Sequence, residues 1–437
     1  MPQVLVLGDD LTGSNATGAL FARLGLRTVA VSAQPGAPPV ITASAACADT
    51  LVVNLGSRHL SPAESRAAVV RALRQAGPAE LTVKRVDTTL RGNVGAEADA
   101  VLGESPRGTR ALVVPAFPDA GRVTVGGLHM VDGVPLADTP AARDPLAPVR
   151  SSRVAALLRA GTSRPVAELA LDVVQDGPEA VAAALRKPGE HGGLPELVVC
   201  DATANRHLVT IARAAAMVTA GDGTRWVSVD SGPFGVRLAA ALGISPASGA
   251  PAVLAVVGSI TEQTGVQVAR TETELGARYV EVALDALDPR QVAERAGGLF
   301  RAGHRVVGIR SLPPAPGRPA DPAAAARIPG ALAEAASIVT SRHPVDGLYA
   351  TGGDIAAALT HRLRAEGFEI DTDVLPLAVA GRLAGGPLDG MPFATKGGLI
   401  GGADAAVACI EHLTFVIARE RREAATATMR GSAHGRP

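Results

Sequence analysis

Short runs of β-branched and aliphatic residues alternate along the whole chain with alanine-rich amphipathic stretches, and this alternation limits the fold more than any other feature. The runs Val4–Leu7, Thr28–Val31, Leu51–Asn54, Leu81–Lys84, Ala111–Val114, Leu197–Cys200 and Trp226–Val229 have strand length, with helical patterning between them. Such βαβ repetition predicts a mainly parallel sheet with helices on both faces. After Val229 come Asp230-Ser231-Gly232-Pro233, a helical stretch, and a cluster of glycine, proline and serine from Gly243 to Pro251 that is the candidate linker. A second series follows, with Val253–Val257, Arg278–Val282, Val306–Ile309, Gly347–Ala350 and the short Pro392–Thr395. A chain of 437 residues is too long for one ordinary core. The expected architecture is α/β with two domains, 1–245 and 252–420, each a mainly parallel sheet flanked by helices, and a tail over 421–437 expected to be disordered. Two stretches stand outside the pattern. Gly121–Val149 lacks helical periodicity and is dense in Gly, Pro and Asp, which reads as a long excursion of the lid or binding-loop kind. Leu312–Pro322 reads as a solvated, proline-rich connector.

Composition removes several classes of function. Lys plus Arg equals Asp plus Glu at 42 each, so no global basic field gathers nucleic acid or an anionic membrane, and 2% aromatic residues leave few platforms for stacking bases. Cys47, Cys200 and Cys409 are far apart, odd in number and without metal-ligand spacing, which argues against a disulfide framework or a zinc site and for a reduced, cytoplasmic setting. Met1 leads directly into Val4–Leu7 without a basic leader, and no uncharged apolar run reaches the roughly 18 residues a membrane helix needs. Neither nucleic acid nor membrane is expected as a partner, and self-association is left open.

In open parallel sheets ligands bind beyond the carboxyl ends of the strands. Gly8-Asp9-Asp10-Leu11-Thr12-Gly13-Ser14-Asn15 follows the first run, Asn54-Leu55-Gly56-Ser57-Arg58-His59 the third, and Lys84-Arg85-Val86-Asp87-Thr88-Thr89-Leu90-Arg91-Gly92-Asn93 the fourth. Arginine and lysine clamp a carboxylate, while Asp and Asn exchange hydrogen bonds with sugar hydroxyls, so these strand ends suit a small polyhydroxy anion. Each piece has a plainer reading: Asp9 and Asp10 as a helix N-cap beside a solvated acid, and Lys84, Asp87 and Arg91 as a surface salt-bridge group. His59 and His129 stay outside the candidate set, because lone histidines are more often structural.

The second series ends its strands differently. Gly258-Ser259 closes one, Thr351-Gly352-Gly353-Asp354 closes another and opens a helix, and Thr395-Lys396-Gly397-Gly398-Leu399-Ile400-Gly401-Gly402 precedes a third helix. Backbone N–H groups uncovered by glycine at helix N-termini cradle phosphates, and two such loops suggest a polyphosphate. Neither loop is a Walker A sequence, and no G-x-G-x-x-G follows a strand.

Taken together, these motifs resemble the four-carbon acid sugar kinases over nearly the whole chain. Gly8–Gly18 is similar to that family's Asp-Asp-Leu-Thr-Gly opening, Lys84–Asn93 to its Lys-x-x-Asp-Ser-Thr-Leu-Arg-Gly-Asn segment, and Pro115–Arg122 to a third block; Gly258-Ser259, Thr351–Asp354 and Thr395–Gly402 resemble its nucleotide loops. The resemblance implies a sugar-acid-binding first domain, a nucleotide-binding second domain and an active site in the cleft between them, with ATP and Mg²⁺ as co-substrate and cofactor. It assigns Asp9, Asp10, Arg58, Lys84, Asp87 and Arg91 to the substrate, and Ser259, Thr351, Gly352, Gly353, Lys396, Gly397, Gly398 and Gly401 to the nucleotide. Asp10 and Asp354 are the candidate catalytic acids, and the choice of base between them stays open, as do the metal ligands. The chain departs from the family pattern at Ser14-Asn15-Ala16, where Ala-Asn-Asp is common, at Thr88, where Ser is common, and at Lys396–Gly401, where a Ser and a Phe are usual. The acid missing at Ala16 bears on which acid is bound more than on the reaction. Rival expectations are a dinucleotide-dependent oxidoreductase or epimerase of sugar acids, which would need a pyrophosphate fingerprint, and a non-catalytic sugar-acid sensor, for which catalytic acids would be superfluous.

Overall fold

The computed structural model describes residues 1–33, 39–42, 45, 47–189, 192–246, 249–283, 288–313 and 322–433. The chain divides into two compact units, Met1–Ala247 and Ser248–Pro437. Most of the proline-rich connector lies outside the described residues.

The first unit is built on a wholly parallel eight-stranded sheet. Its strands are β1 (Val4–Gly8), β2 (Thr28–Ser32), β3 (Thr50–Asn54), β4 (Leu81–Arg85), β5 (Arg110–Val114), β9 (Val166–Leu169), β10 (Leu197–Cys200) and β11 (Trp226–Asp230), in the order β2-β3-β1-β4-β11-β5-β10-β9. Side chains alternate across a strand, so β1 sends Val4 and Val6 into one core with Phe21, Leu208 and Phe234, and Leu5 and Leu7 into the other with Val69 and Val101. Burial on both faces explains why these strands read as continuous apolar runs. The chain builds β2 and β3 on one side of β1 and then crosses to β4 on the other, which makes the carboxyl ends of β1 and β4 a topological switch point.

The Gly121–Val149 excursion contains a three-stranded antiparallel sheet, β6 (Arg122–Val125), β7 (Leu128–Val131) and β8 (Val134–Pro135). Its two turns are Gly126-Gly127 and Asp132-Gly133, each pair with both residues at positive φ, as tight hairpins require. Asp201, just after β10, accepts from the Gly126 and Gly127 N–H groups at 2.6 and 2.9 Å and fixes the first turn to the main sheet.

The second unit carries a seven-stranded sheet of β12 (Val253–Val257), β13 (Arg278–Val282), β14 (Val306–Ser311), β15 (Gly347–Thr351), β16 (Gly367–Leu375), β17 (Ala378–Ala384) and β18 (Pro392–Lys396), in the order β13-β14-β12-β15-β18-β17-β16. Five strands are parallel; β16 and β17 form an antiparallel hairpin at the edge. Here the order reverses between β12 and β15, placing a second switch point beside Ser259 and Gly352. The last helix, Ala405–Ala433, runs into the expected tail, and residues 434–437 lie outside the described residues.

Candidate active site

At the first switch point the strand ends deliver a lattice of arginines and aspartates. Asp10 is the N-cap of the Leu11–Arg23 helix, its side chain accepting from the Gly13 N–H at 3.0 Å. Arg58 reaches Asp9 through Nε at 2.7 Å, Asp10 at 3.0 Å and Asp87 at 3.3 Å. Arg85, the last residue of β4, places one nitrogen 3.1 Å from both Asp9 and Asp10. Arg91 grips Asp87 at 2.8 Å and Asp144, from the excursion, at 3.0 Å. Asp9 and Asp87 are buried and Asp10 is partly open. Burial works against the charges of Arg58 and Asp87, yet the opposing partners prevail: Asp9, Asp87 and Asp10 raise Arg58, and Arg91, Thr89 and Arg58 hold the Asp87 carboxyl far below the usual carboxylate range. Asp144 is lowered to about 2 by the Ala147 and Leu146 N–H groups and by Arg91. Arg58, Arg85 and Arg91 thus stand against Asp9, Asp10, Asp87 and Asp144, a surface that sets guanidinium forks for a carboxylate beside acceptors for hydroxyls.

Small residues make this lattice fit. A Cβ on Gly13 would lie 1.8 Å from the Arg85 guanidinium, and one on Gly92, at φ +90°, would press on the Arg58 backbone at 3.3 Å. The glycines of the two motifs are therefore space for arginines. The turn after Asp87 places Leu90 at φ +53° and is held from outside by His129 on β7, whose Nε2 lies 3.0 Å from the Thr88 carbonyl and whose Nδ1 lies 3.2 Å from the Thr124 hydroxyl. Burial keeps that imidazole below its ordinary pKa.

Lys84 does not join the lattice. It is fully buried and directs its ammonium to the Leu7 carbonyl at 3.0 Å, the Arg85 carbonyl at 2.5 Å and Glu97 at 2.9 Å, while Ser57 donates to the other Glu97 oxygen at 2.5 Å. Consecutive strand residues face opposite sides, so Lys84 turns to the sheet face that the Val94–Glu104 helix covers and Arg85 to the other. Sequence reasoning named Lys84 and passed over Arg85 and Asp144.

In the second unit Ser259, Gly352, Gly353 and Gly398 meet at the switch point. Gly352 adopts φ +105° as it starts the Gly353–Arg362 helix, and its N–H bonds the Lys396 carbonyl at 2.9 Å. A Cβ on Gly353 would meet nothing within 4 Å, so this helix end faces open space. Gly398 packs its α-carbon against Ser259, where a Cβ would come within 2.5 Å of the hydroxyl. Thr264 donates to the Gly398 carbonyl at 2.9 Å, and its hydroxyl oxygen lies 2.8 Å from that of Ser259. Thr351 and Lys396 end adjacent strands and are buried; burial lowers the Lys396 pKa, and its ammonium bonds the Gly397 carbonyl at 3.0 Å. Asp354 is exposed in the first helical turn. Among the described residues no group of three or more His, Cys, Asp or Glu is placed to hold a metal ion.

Comparisons with known proteins parallel this division. Residues 4–238 match the model of a sugar-binding N-terminal domain, and residues 254–406 that of a nucleotide-binding C-terminal domain. The chain is 37% identical to the D-erythronate kinase of Heliobacterium modesticaldum, over 96% of this chain and 99% of that one. It is 32% identical to the D-threonate kinase of Salmonella typhimurium, over 91% and 95% respectively. A crystal structure from Bordetella bronchiseptica, described as a domain of unknown function with bound citrate and a domain-swapped dimer, aligns with a TM-score of 0.62 at 29% identity, covering 94% of this chain and 99% of that one. With its strand-end motifs in place and kinases of this kind matching it almost end to end, the chain belongs to the four-carbon acid sugar kinase family.

Proposed function

We propose that the protein transfers the γ-phosphoryl group of ATP to a hydroxyl of a four-carbon sugar acid of the threonate, erythronate or 3-oxotetronate type. The observation that carries this reading is the pairing of two chemically distinct switch points, an arginine–aspartate lattice in one unit and glycine-bearing helix starts in the other. Arg58, Arg85 and Arg91 recognise the substrate carboxylate, and Asp9, Asp10 and Asp87 accept hydrogen bonds from its hydroxyls. The loops around Ser259, Gly352–Gly353 and Lys396–Gly401 bind the phosphates of the nucleotide. Phosphoryl transfer is mainly positioning and charge neutralisation. Either Asp10 or Asp354 takes the proton of the attacking hydroxyl.

Mg²⁺ fits this donor set as an ion held chiefly by phosphate oxygens and one carboxylate, for which the exposed Asp354 is suited. When bound it neutralises phosphate charge. Self-association, as in the Bordetella dimer, and a cytoplasmic location belong to the same proposal; among the described residues no helix is long and apolar enough to cross a membrane.

The test is an ADP-release assay across the four-carbon sugar acids and their neutral polyol analogues. Turnover of one acid and poor turnover of its polyol are expected, and equal turnover of the two would sink the carboxylate reading. In the same assay Asp10→Asn and Asp354→Asn separate the roles. The base variant should lose about 100- to 10,000-fold in kcat, whereas a metal-anchoring variant should regain activity in excess Mg²⁺.

A further inference from the structure

We infer that Gln267, assisted by Gln263, is a positioning residue that aims the backbone amides of the Gly397–Gly402 loop at a polyphosphate; the inference rests on the nucleotide reading above. Gln267 lies on the Glu262–Glu274 helix and is 1% exposed. Its Nε2 is 3.0 Å from the Ile400 carbonyl, 3.3 Å from that of Gly401 and 2.9 Å from that of Gly402. Gln263, one turn earlier on the same face, donates to the Gly401 carbonyl at 2.6 Å. Thr264 and Thr261 take the Gly398 carbonyl at 2.9 and 3.3 Å. One helix face thus collects the carbonyls of Gly398, Ile400, Gly401 and Gly402.

A trans peptide holds its C=O and N–H on opposite sides of the C–N bond. Fixing those four carbonyls therefore turns the N–H groups of Leu399, Gly401, Gly402 and Ala403 away from the helix. None of these four donors has an acceptor among the described residues. A solvated surface loop would leave carbonyls and amides alike to water. Here the carbonyls are taken by side chains of the neighbouring helix, that of Gly402 also by the Ala405 N–H at 3.2 Å, and the amides are left free on one side, the polarity an anion cradle needs. Gly401, at φ +75°, permits the reversal, and a Cβ there would lie 2.5 Å from that of Ala405.

The role predicts an effect on phosphate recognition without one on the nucleoside. The full-length protein and its Gln267→Leu and Gln263→Leu variants are titrated with ADP and with adenosine, and KM is measured for ATP and for the sugar acid. Gln267→Leu should weaken ADP by at least about ten-fold, the scale of one lost hydrogen bond to a charged group. Adenosine affinity and the KM of the acid should stay within about two-fold, and the KM of ATP should rise with the loss of ADP. Gln263→Leu removes one of the two donors to Gly401, and about a three-fold loss of ADP affinity is expected; this variant decides the matter if Gln267→Leu does not fold. Equal weakening of ADP and adenosine would reveal a general structural role and overturn the inference. Unchanged ADP affinity in the folded variants would overturn it alone, provided that Gly353→Val abolishes the parent's ADP binding. If the parent fails to bind ADP, or binds it regardless of Gly353→Val, the nucleotide reading falls and takes the inference with it.

Discussion

Lys84 and Arg91 lie seven positions apart in one motif, yet their surroundings give them opposite consequences. Lys84 is sealed with Glu97 between the sheet and the Val94–Glu104 helix, and removing one partner of a buried ion pair leaves the other charge uncompensated, at a cost of about 3–5 kcal/mol. Lys84→Met should therefore lower the urea midpoint strongly. Lys84→Met combined with Glu97→Leu should recover part of the loss, because the orphaned carboxylate is gone. Arg91 is partly open and holds Asp87 and Asp144 at the rim, so Arg91→Ala should raise the KM of the sugar acid by about ten-fold or more, the scale of a lost charged hydrogen bond. The KM of ATP should hold. Denaturation and kinetics on the same two variants check the contrast, which fails if Lys84→Met is stable and impaired only in KM. The sequence marks both residues as charged groups after a strand. It does not say which of Lys84 and Arg85 turns to the rim, because that depends on which sheet face the following helix covers.

At the scale of elements, the β6–β7–β8 sheet is a wall built onto the first site. Its His129, on β7, supports the Thr88 carbonyl in the turn that presents Asp87, and the chain beyond β8 brings Asp144 to Arg91 just after the Pro140–Arg143 turn. His129 is held neutral chiefly by burial and also by Arg122, against the opposing influence of the Thr88 carbonyl and Asp87. Its folded pKa is below the ordinary value of about 6.5 that it regains on unfolding. As pH falls through about 6.5 the unfolded chain takes a proton that the folded chain refuses, so this contribution to stability is lost until the folded pKa is reached. Urea midpoints between pH 8 and pH 5.5 should fall less steeply in His129→Gln than in the parent, and parallel curves would discard the neutral-histidine account. Much of this wall was open to reading from the sequence. Gly126-Gly127 and Asp132-Gly133 are hairpin signals, and the fold gives both pairs positive φ. The high density of Gly, Pro and Asp hid them among turn residues with no strand pattern long enough to stand out, β8 having only two residues. The β16–β17 hairpin was obscured for a related reason, since Glu369, Asp371 and Asp373 put acids on an exposed edge strand where β-propensity is low. The contact between Arg91 and Asp144 spans 53 positions, and no local pattern encodes it.

For the whole molecule, the two units have separate cores and separate switch points. Val6, Phe21, Leu112 and Phe234 in one core and Leu5, Val69 and Val113 in the other cover the two faces of the first sheet, while Leu254, Ile309, Leu348 and Phe393 belong to the second unit. Each sheet thus has the burial a domain needs to fold alone. The residues proposed for each ligand also lie within one unit, Arg58, Arg85 and Arg91 for the acid in the first and Ser259, Gly353 and Gly398 for the nucleotide in the second. Binding should therefore separate from catalysis when the chain is divided in the Gly243–Pro251 segment. A fragment ending at Pro246 should bind the cognate sugar acid with an affinity close to that of the whole protein, and a fragment beginning at Gly249 should do the same with ADP. Neither alone should release ADP in the presence of both substrates. Calorimetry on each fragment, with circular dichroism to establish folding, checks the expectation. If the folded second fragment fails to bind ADP while the intact chain binds it tightly, the nucleotide site draws on the first unit, and the assignment of Ser259, Gly353 and Gly398 as a sufficient phosphate cradle is wrong.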